Sequence, residues 1–230
     1  MKIKKFILNL LMIIFFCIFI FSAFMLIKYF YEAYSSEKKN DNIVDIYQNE
    51  VSEENRYKKL LEINPEAAGF LEIKQIDIAY PVVQSEDNEK YLHTDFNLEK
   101  NKNGAVFADY RIDIEKDRKI IIYAHNMKSG NMFAKLLKLE DKTVFENCKD
   151  IEFNIKGNLT KWEIFAAFYT KSSNSGIYSL NISSDDEFLK EIKKNYGNFK
   201  EIDMENKRIL MLSTCSYKDK DRFVVLAAQK

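Results

Sequence analysis

An uncharged apolar run near the N-terminus limits what this chain can fold into more than any other feature. From Phe6 to Ile27 there are 22 residues without a charge. A helix rises about 1.5 Å per residue, so this run can cross a hydrocarbon core of roughly 30 Å. A cleaved signal peptide is the alternative, but the run exceeds a usual signal core and ends without a small-x-small site. The run therefore predicts an uncleaved membrane anchor in residues 1–28.

The distribution of charge predicts the orientation of this anchor. The whole chain has 35 Lys+Arg and 35 Asp+Glu, a net charge of zero, which argues against a nucleic-acid-binding protein. Lys2, Lys4 and Lys5 precede the apolar run, whereas only Lys28 follows it closely. The lysine-rich side stays cytoplasmic, so the remaining 202 residues should be extracellular. That part is mildly acidic, with 31 basic and 35 acidic residues.

Polar and apolar spacing divides the extracellular part into a linker and one domain. Residues 29–43 are polar and weakly patterned, as in a stalk, and residues 44–230 form the predicted domain. Apolar positions at helical spacing from Val44 to Ile63 predict one or two amphipathic helices. Asn64 then resembles a cap, and Pro65 the first residue of a short helical turn that ends at Gly69.

After Gly69 the apolar period changes to two, which is typical of strands. Strands outnumber helices and do not alternate regularly with them, so the pattern predicts a mostly antiparallel barrel or sandwich with helical insertions. Two stretches have helical spacing instead, residues 132–139 and Asp185 to Tyr196, the second with Ser183 or Ser184 as a cap. The eight predicted strands are Phe70–Ile73, Ile78–Gln84, Ala105–Tyr110, Lys119–His125, Ile151–Ile155, Lys161–Thr170, Arg208–Thr214 and Arg222–Ala228.

Composition leaves little room for cofactor or metal chemistry. The six glycines lie far apart, so no phosphate-binding loop can be assembled. Three Cys and two His form no compact ligand cluster, and we predict neither a metal site nor a cofactor. Outside the membrane run only Cys148 and Cys215 remain. They could form one disulfide, or at least one of them could be a functional thiol.

Cys215 and His125 are the residues best placed for nucleophilic catalysis. Each ends a strongly apolar predicted strand, where a rigid element meets an accessible loop. A histidine activates a cysteine because the thiolate is the nucleophile and the imidazole can protonate a leaving amine. By composition alone, a buried inert thiol would be the favoured interpretation of Cys215, and the matching position of His125 changes that balance.

Arg222 begins the predicted strand that follows Cys215. A hairpin between them would return the guanidinium towards the thiol, where it could hold a substrate carbonyl or stabilise an oxyanion. An exposed arginine beside a strand is the ordinary alternative. His93 lies in a polar connection and is interpreted as a surface histidine.

Four ordered segments resemble the class B sortases, which are membrane-anchored cysteine transpeptidases of Gram-positive bacteria. The resemblance covers about residues 44–230. The segments are Leu-Ser-Thr-Cys at 212–215 with an arginine opening the next strand, Tyr-Ala-His-Asn-Met at 123–127, Gly-Ala-Val-Phe-Ala-Asp-Tyr-Arg at 104–111, and Asn-Pro-Glu-Ala-Ala-Gly-Phe-Leu-Glu-Ile at 64–73 followed by Ile-Ala-Tyr-Pro-Val-Val-Gln at 78–84.

The resemblance implies a closed eight-stranded β-barrel with N-terminal helices and a helix in the long connection before the nucleophile strand. It also implies that Cys215 attacks the carbonyl after Thr in a C-terminal sorting signal, with His125 as general acid and base and Arg222 at the oxyanion. A peptidoglycan cross-bridge or stem-peptide amine would then resolve the thioacyl enzyme and join the secreted protein to the wall. The peptide groove would be lined by Asn88, Leu92, Tyr123, Tyr178 and Ser213.

Two other functions fit the same residues. An extracellular cysteine peptidase would release a free acid and would ignore added amine. A non-catalytic membrane-tethered binding module would have an unreactive Cys215.

Overall fold

The computed structural model describes residues 2–195, 197–215 and 221–230. The chain divides into two compact units, Met1–Lys39 and Asn40–Lys230. Helix α1, Lys2–Gln48, contains the apolar run, and within the described residues it is the one helix long and apolar enough to cross a membrane. The division predicted at residues 28 and 43 stays a prediction.

Short helices accompany the barrel of the second unit. Helix α2 follows the capping residue Ser52, whose hydroxyl accepts from Asn55 N. Helix α5 is capped by Ser184, one of the two serines predicted for this position. Its first turn has three acidic residues, which interact favourably with the positive end of the helix dipole. The α-helices are α2 (Glu53–Ile63), α3 (Lys142–Asn147), α4 (Ser175–Tyr178) and α5 (Asp185–Lys193), and 3-10 turns span Lys74–Ile76, Lys90–Leu92 and Phe133–Glu140.

Eight strands close into a barrel in the order β5-β1-β2-β3-β4-β8-β9-β6, and β6 pairs with β5 to complete the ring. Two neighbouring pairs, β2–β3 and β4–β8, are parallel, and the other pairs are antiparallel. The predicted barrel and its eight strands are therefore confirmed. The strands are β1 (Ala67–Ile73), β2 (Ile78–Val83), β3 (Val106–Ala108), β4 (Lys119–Ala124), β5 (Asp150–Ile155), β6 (Asn158–Lys171), β7 (Gly197–Phe199), β8 (Ile209–Cys215) and β9 (Asp221–Gln229).

Alternation along β8 places its side chains in two different apolar cores. On β8, Leu210 and Leu212 belong to a core that draws residues from all eight barrel strands and fills the interior. Ile209 and Met211 point to the other face and pack with Phe188 of α5 in a second core. Both faces of this strand are therefore buried, as its continuous apolar run at 209–212 indicates, and the α4–α5 connection covers the outer face.

The short helical turn predicted from Pro65 to Gly69 is wrong, because β1 already begins at Ala67. Asn64 is fully buried, and its side-chain oxygen accepts from Glu66 N, which turns the chain directly into the strand. Gly69 then pairs with both neighbouring strands. A Cβ on Gly69 would lie 2.0 Å from the carbonyl oxygen of Asn154, so this glycine permits close strand approach and does not end a helix.

The connection before β8 also differs in detail from the prediction. Helix α5 ends at Lys193, and the predicted end at Tyr196 lies outside the described residues. Strand β7, which pairs with β6 beside the barrel, was not predicted, since a three-residue strand has too little alternation to be seen in the sequence. Residues 216–220, the predicted hairpin loop after Cys215, also lie outside the described residues.

Candidate active site

Strand register brings the three predicted catalytic residues to one end of the barrel. On the parallel strands β4 and β8, Ala124 pairs with Thr214, and these residues directly precede His125 and Cys215. On the antiparallel strands β8 and β9, Cys215 pairs with Arg222. Adjacent strands lie about 4.8 Å apart, so continuing the β4–β8 register by one residue sets the backbones of His125 and Cys215 side by side.

A cavity of about 190 Å³ opens at this end of the barrel. Both His125 and Arg222 line it, as do four of the five residues expected in the peptide groove. The side chain of Cys215 lies outside the described atoms, so its orientation stays a prediction. The cavity is lined by Asn88, Leu92, Phe107, Tyr123, Ala124, His125, Ser213, Thr214 and Arg222.

The imidazole of His125 is held by a backbone carbonyl across the cavity. Its Nε2 lies 2.9 Å from the carbonyl oxygen of Leu92, and because a carbonyl only accepts, Nε2 is the donor. The backbone oxygen of His125 accepts from Phe133 N at 3.1 Å, which fixes the residue after β4 has ended. When the ring is neutral, Nδ1 is therefore the nitrogen that can take up a proton.

Tyr178, the fifth residue expected in the groove, reaches the site through Ser213. Their hydroxyl oxygens lie 2.8 Å apart, and Ser213 lines the cavity. Tyr178 is the last residue of α4, so the connection before β8 contributes directly to the rim of the cavity. The structure thus brings together all the predicted site residues whose side chains it describes.

Known proteins with similar sequences identify the family. The family model of the sortase domain matches residues 71–230. The chain belongs to the sortase family. It is 31% identical to sortase B of Listeria monocytogenes, over 98% of this chain and 97% of that protein.

Solved structures place this sortase in class B. Sortase B of Bacillus anthracis superposes with a TM-score of 0.78 at 30% identity, covering 87% of this chain and 98% of the other. A Staphylococcus aureus sortase B–substrate complex superposes with a TM-score of 0.75 at 25% identity, covering 86% and 96%. The sortase is accordingly a cysteine transpeptidase, which excludes the non-catalytic binding module.

Asp109 is a residue of this site that the sequence reasoning did not assign. It is fully buried, and Tyr123 donates its hydroxyl to Asp109 Oδ2 at 3.0 Å. Arg111 donates to both carboxylate oxygens, at 2.9 and 2.7 Å, and these hydrogen bonds hold the pKa of Asp109 below its ordinary value despite burial. An acidic residue directly after the apolar Ala-Val-Phe-Ala run was the available signal.

The carboxylate of Asp109 orients a residue of the cavity wall. Burial, and then the nearby charge of Asp109, raise the pKa of Tyr123. The phenol therefore stays protonated and donates a hydrogen bond to the carboxylate. The lone pairs of its oxygen are left to accept from a ligand. The ring also packs against Phe107, a second lining residue that the sequence reasoning missed, at 5.5 Å between centroids.

The remaining cysteine and histidine candidates do not line this cavity. Cys148 is a free buried thiol, so the disulfide with Cys215 considered from the sequence does not form. Its sulfur lies 3.9 Å from the side-chain oxygen of Gln75, and burial raises its pKa to about 11, as in an inert thiol. His93 is exposed. Within the described ranges no group of three His, Cys, Asp or Glu could hold a metal ion.

Proposed function

We propose that this sortase is anchored in the cell membrane, cleaves a C-terminal sorting signal after Thr and joins the released protein to a peptidoglycan amine. The observation that carries the proposal is the register of β4, β8 and β9, which brings His125, Cys215 and Arg222 to one end of the barrel beside a lined cavity.

The first half of the reaction forms a thioester. The Cys215 thiolate attacks the carbonyl carbon of Thr, and the negative charge moves to the carbonyl oxygen. Collapse of this tetrahedral intermediate breaks the peptide C–N bond. The leaving amine takes its proton from the imidazolium of His125, and the Nε2–H bond to Leu92 favours Nδ1 as the nitrogen that gives it.

Arg222 is the residue that stabilises the oxyanion. Its backbone pairs with that of Cys215 and its side chain lines the cavity, so its donors can reach the carbonyl oxygen under attack. A donor to an oxyanion contributes about 3 kcal/mol to the transition state in other acyl-transfer enzymes. We expect this contribution to appear in kcat.

The second half of the reaction uses the same groups in reverse. A peptidoglycan amine attacks the thioester carbonyl and gives a proton to His125, and the C–S bond breaks to restore the thiolate. Water would produce a free acid instead. A neutral amine is the better nucleophile, so an amine bound near His125 favours transfer over hydrolysis.

The peptide groove is formed by Asn88, Leu92, Tyr123, Tyr178 and Ser213. Four of them line the cavity, and Tyr178 is held at its rim by Ser213. Asn88 is oriented by Tyr110, whose backbone N–H donates to its Oδ1 at 3.1 Å. The side-chain amide N–H groups of Asn88 can donate to a peptide backbone, and the Tyr123 oxygen can accept from it.

The N-terminal helix supports a membrane location. The apolar part of α1 is long enough to span a bilayer, and its three preceding lysines favour a cytoplasmic N-terminus. The catalytic domain would then face the wall, where sorting signals and peptidoglycan amines meet.

The test is a transfer assay with full-length protein in detergent micelles. Tagged peptides with Thr fixed and the other positions randomised are mixed with triglycine or diaminopimelic acid, and products are identified by mass. We expect a product in which the Thr carbonyl is joined to the amine, and a thioester on Cys215 when the amine is left out. Cys215→Ala should abolish both species.

Cys148→Ala is the matched control, because it removes a buried thiol that does not line the cavity, and it should keep full activity. Arg222→Ala should lower kcat by about a hundredfold if it stabilises the oxyanion. If free acid is released at a rate that added amine does not change, the protein is a hydrolase and the proposed transfer activity is wrong. Equal activity of wild type and Cys215→Ala would refute the mechanism.

A further inference from the structure

A buried lysine lies beneath the connection that delivers Tyr178 to the site. Lys119 opens β4 and is 1% exposed. Its Nζ donates to the carbonyl oxygens of Ile177 and Ser179, the latter at 2.8 Å, and lies 4.8 Å from the centre of the Phe188 ring. One ammonium group therefore contacts both the end of α4 and a core residue of α5.

These contacts compensate for the burial of a charged group. Removing an ammonium from water is costly unless it is paired, and burial lowers the pKa of Lys119 to about 8. The carbonyls at the end of α4 carry the negative end of the peptide dipoles, and the face of Phe188 is also electron-rich. A methionine or leucine would fill this space without the burial penalty, so the charge itself calls for an explanation.

The geometry links Lys119 to the cavity through a single residue. Tyr178 lies between Ile177 and Ser179 in the chain, so the two carbonyls held by Lys119 flank it on both sides. The hydroxyl of Tyr178 meets Ser213 at the rim of the cavity. Along β4, alternate residues face the same way, so Lys119 and Tyr123 lie on the face that α4 and α5 cover.

We propose that Lys119 is a positioning residue for the peptide groove: its ammonium holds the end of α4 against the barrel and thereby keeps Tyr178 at Ser213. This inference rests on the proposed function, because it assigns Tyr178 to binding of the sorting peptide. Lys119 lies at the opposite end of β4 from His125 and takes no part in the chemical steps.

The first test is a double-mutant cycle in full-length protein, using the peptide that gives the highest transfer rate in the Thr-containing library. Lys119→Met keeps the volume of the side chain and removes the ammonium. We expect it to raise KM by up to about fivefold, the effect of losing the Tyr178–Ser213 hydrogen bond, and to change kcat by less than about twofold. In a Tyr178→Phe background the same change should have little further effect, because the tyrosine contact is already lost.

A merely structural role gives a different result in this cycle. Loss of stability alone would leave the KM of the folded fraction unchanged, or would add to the effect of Tyr178→Phe. Lys190→Met is the matched control, since Lys190 is an exposed residue of α5 and its removal changes the charge of the same connection. It should leave KM as in the wild type.

The second test does not depend on catalysis. Hydrogen exchange of full-length protein, read by mass spectrometry, should show amides in residues 175–182 exchanging at least about tenfold faster in Lys119→Met than in Lys190→Met. Unchanged exchange there, or fully additive KM effects, would overturn the inference. If exchange accelerates but no library peptide is transferred, Lys119 holds α4 as inferred and the proposed function fails.

Discussion

The hydroxyl oxygens of Tyr178 and Ser213 lie 2.8 Å apart, although the two residues are 35 positions apart in the chain. Ser213 is delivered by β8, two residues before Cys215, and Tyr178 by a four-residue helix in the connection before that strand. The contact joins this connection to β8 at the rim of the cavity.

Loss of this contact should weaken peptide binding. Ser213→Ala removes one hydroxyl, and a hydrogen bond of this kind contributes about 1 kcal/mol, so KM for the library peptide should rise about fivefold. The chemical step should change little, and steady-state kinetics separates the two constants. Ser183→Ala, at an exposed position before α5, is the matched control. A fall in kcat at constant KM would argue against a binding role for Ser213.

The buried carboxylate of Asp109 should stabilise the fold measurably. Asp109→Asn removes the charge that accepts from Arg111 and Tyr123, and breaking such a buried network lowers the free energy of unfolding by about 2 to 4 kcal/mol. Asp113→Asn removes an acid from an exposed pair with Lys116, where solvent screening leaves only a small effect on stability. Urea denaturation measures the free energy of unfolding of both variants. Equal losses would contradict a stabilising role for the buried Asp109 carboxylate.

The same carboxylate predicts a dependence on acid. The pKa of Asp109 in the folded state is below its unfolded value, so its stabilisation is fully present above the unfolded value and is lost as pH falls through the folded pKa. The difference in unfolding free energy between wild type and Asp109→Asn should be constant from pH 5 to 7 and shrink below about pH 4. A difference that grew in acid would have the wrong sign.

Lys119 predicts a second pH dependence, in alkaline solution. Its pKa is lowered to about 8 in the folded state, from an ordinary value of 10.5. Between these values the unfolded chain binds more protons, so stability rises with pH. Relative to Lys119→Met, the unfolding free energy of the wild type should increase by about 1 kcal/mol between pH 8.5 and 9.5. A flat difference over this range would show that the folded pKa is ordinary.

Gly69 should resist substitution because of the strand packing around it. The Cβ of Gly69→Ala would lie 2.0 Å from the Asn154 carbonyl oxygen of β5, so the two backbones would have to move apart. We expect this to lower the free energy of unfolding by about 3 kcal/mol or more. Gly130→Ala meets nothing within 4 Å but has φ +86°, so strain alone should cost about 1 kcal/mol. Thermal or urea unfolding should rank the two variants in this order.

Sequence reasoning was most successful where one face of a strand had to be buried. All eight barrel strands were visible as alternating or continuous apolar runs, and residue type limited the cap of α5 to Ser183 or Ser184, of which the structure has Ser184. It failed at Pro65, where a turn formed by the side chain of Asn64 outweighed the helix signal. Asp109 was not assigned, because a buried acid and an exposed one look the same until their partners are known.

Local chemistry determined the apolar N-terminal helix, the strand pattern and the choice of candidate reactive residues, since apolar length, alternation and side-chain type are properties of a segment alone. Which strands are neighbours was decided only by the tertiary structure. The parallel pairing of β4 with β8 joins residues about 90 positions apart, and it alone makes His125 and Cys215 adjacent. Closure of the barrel selects that pairing, because every barrel strand must find two partners and bury one common interior.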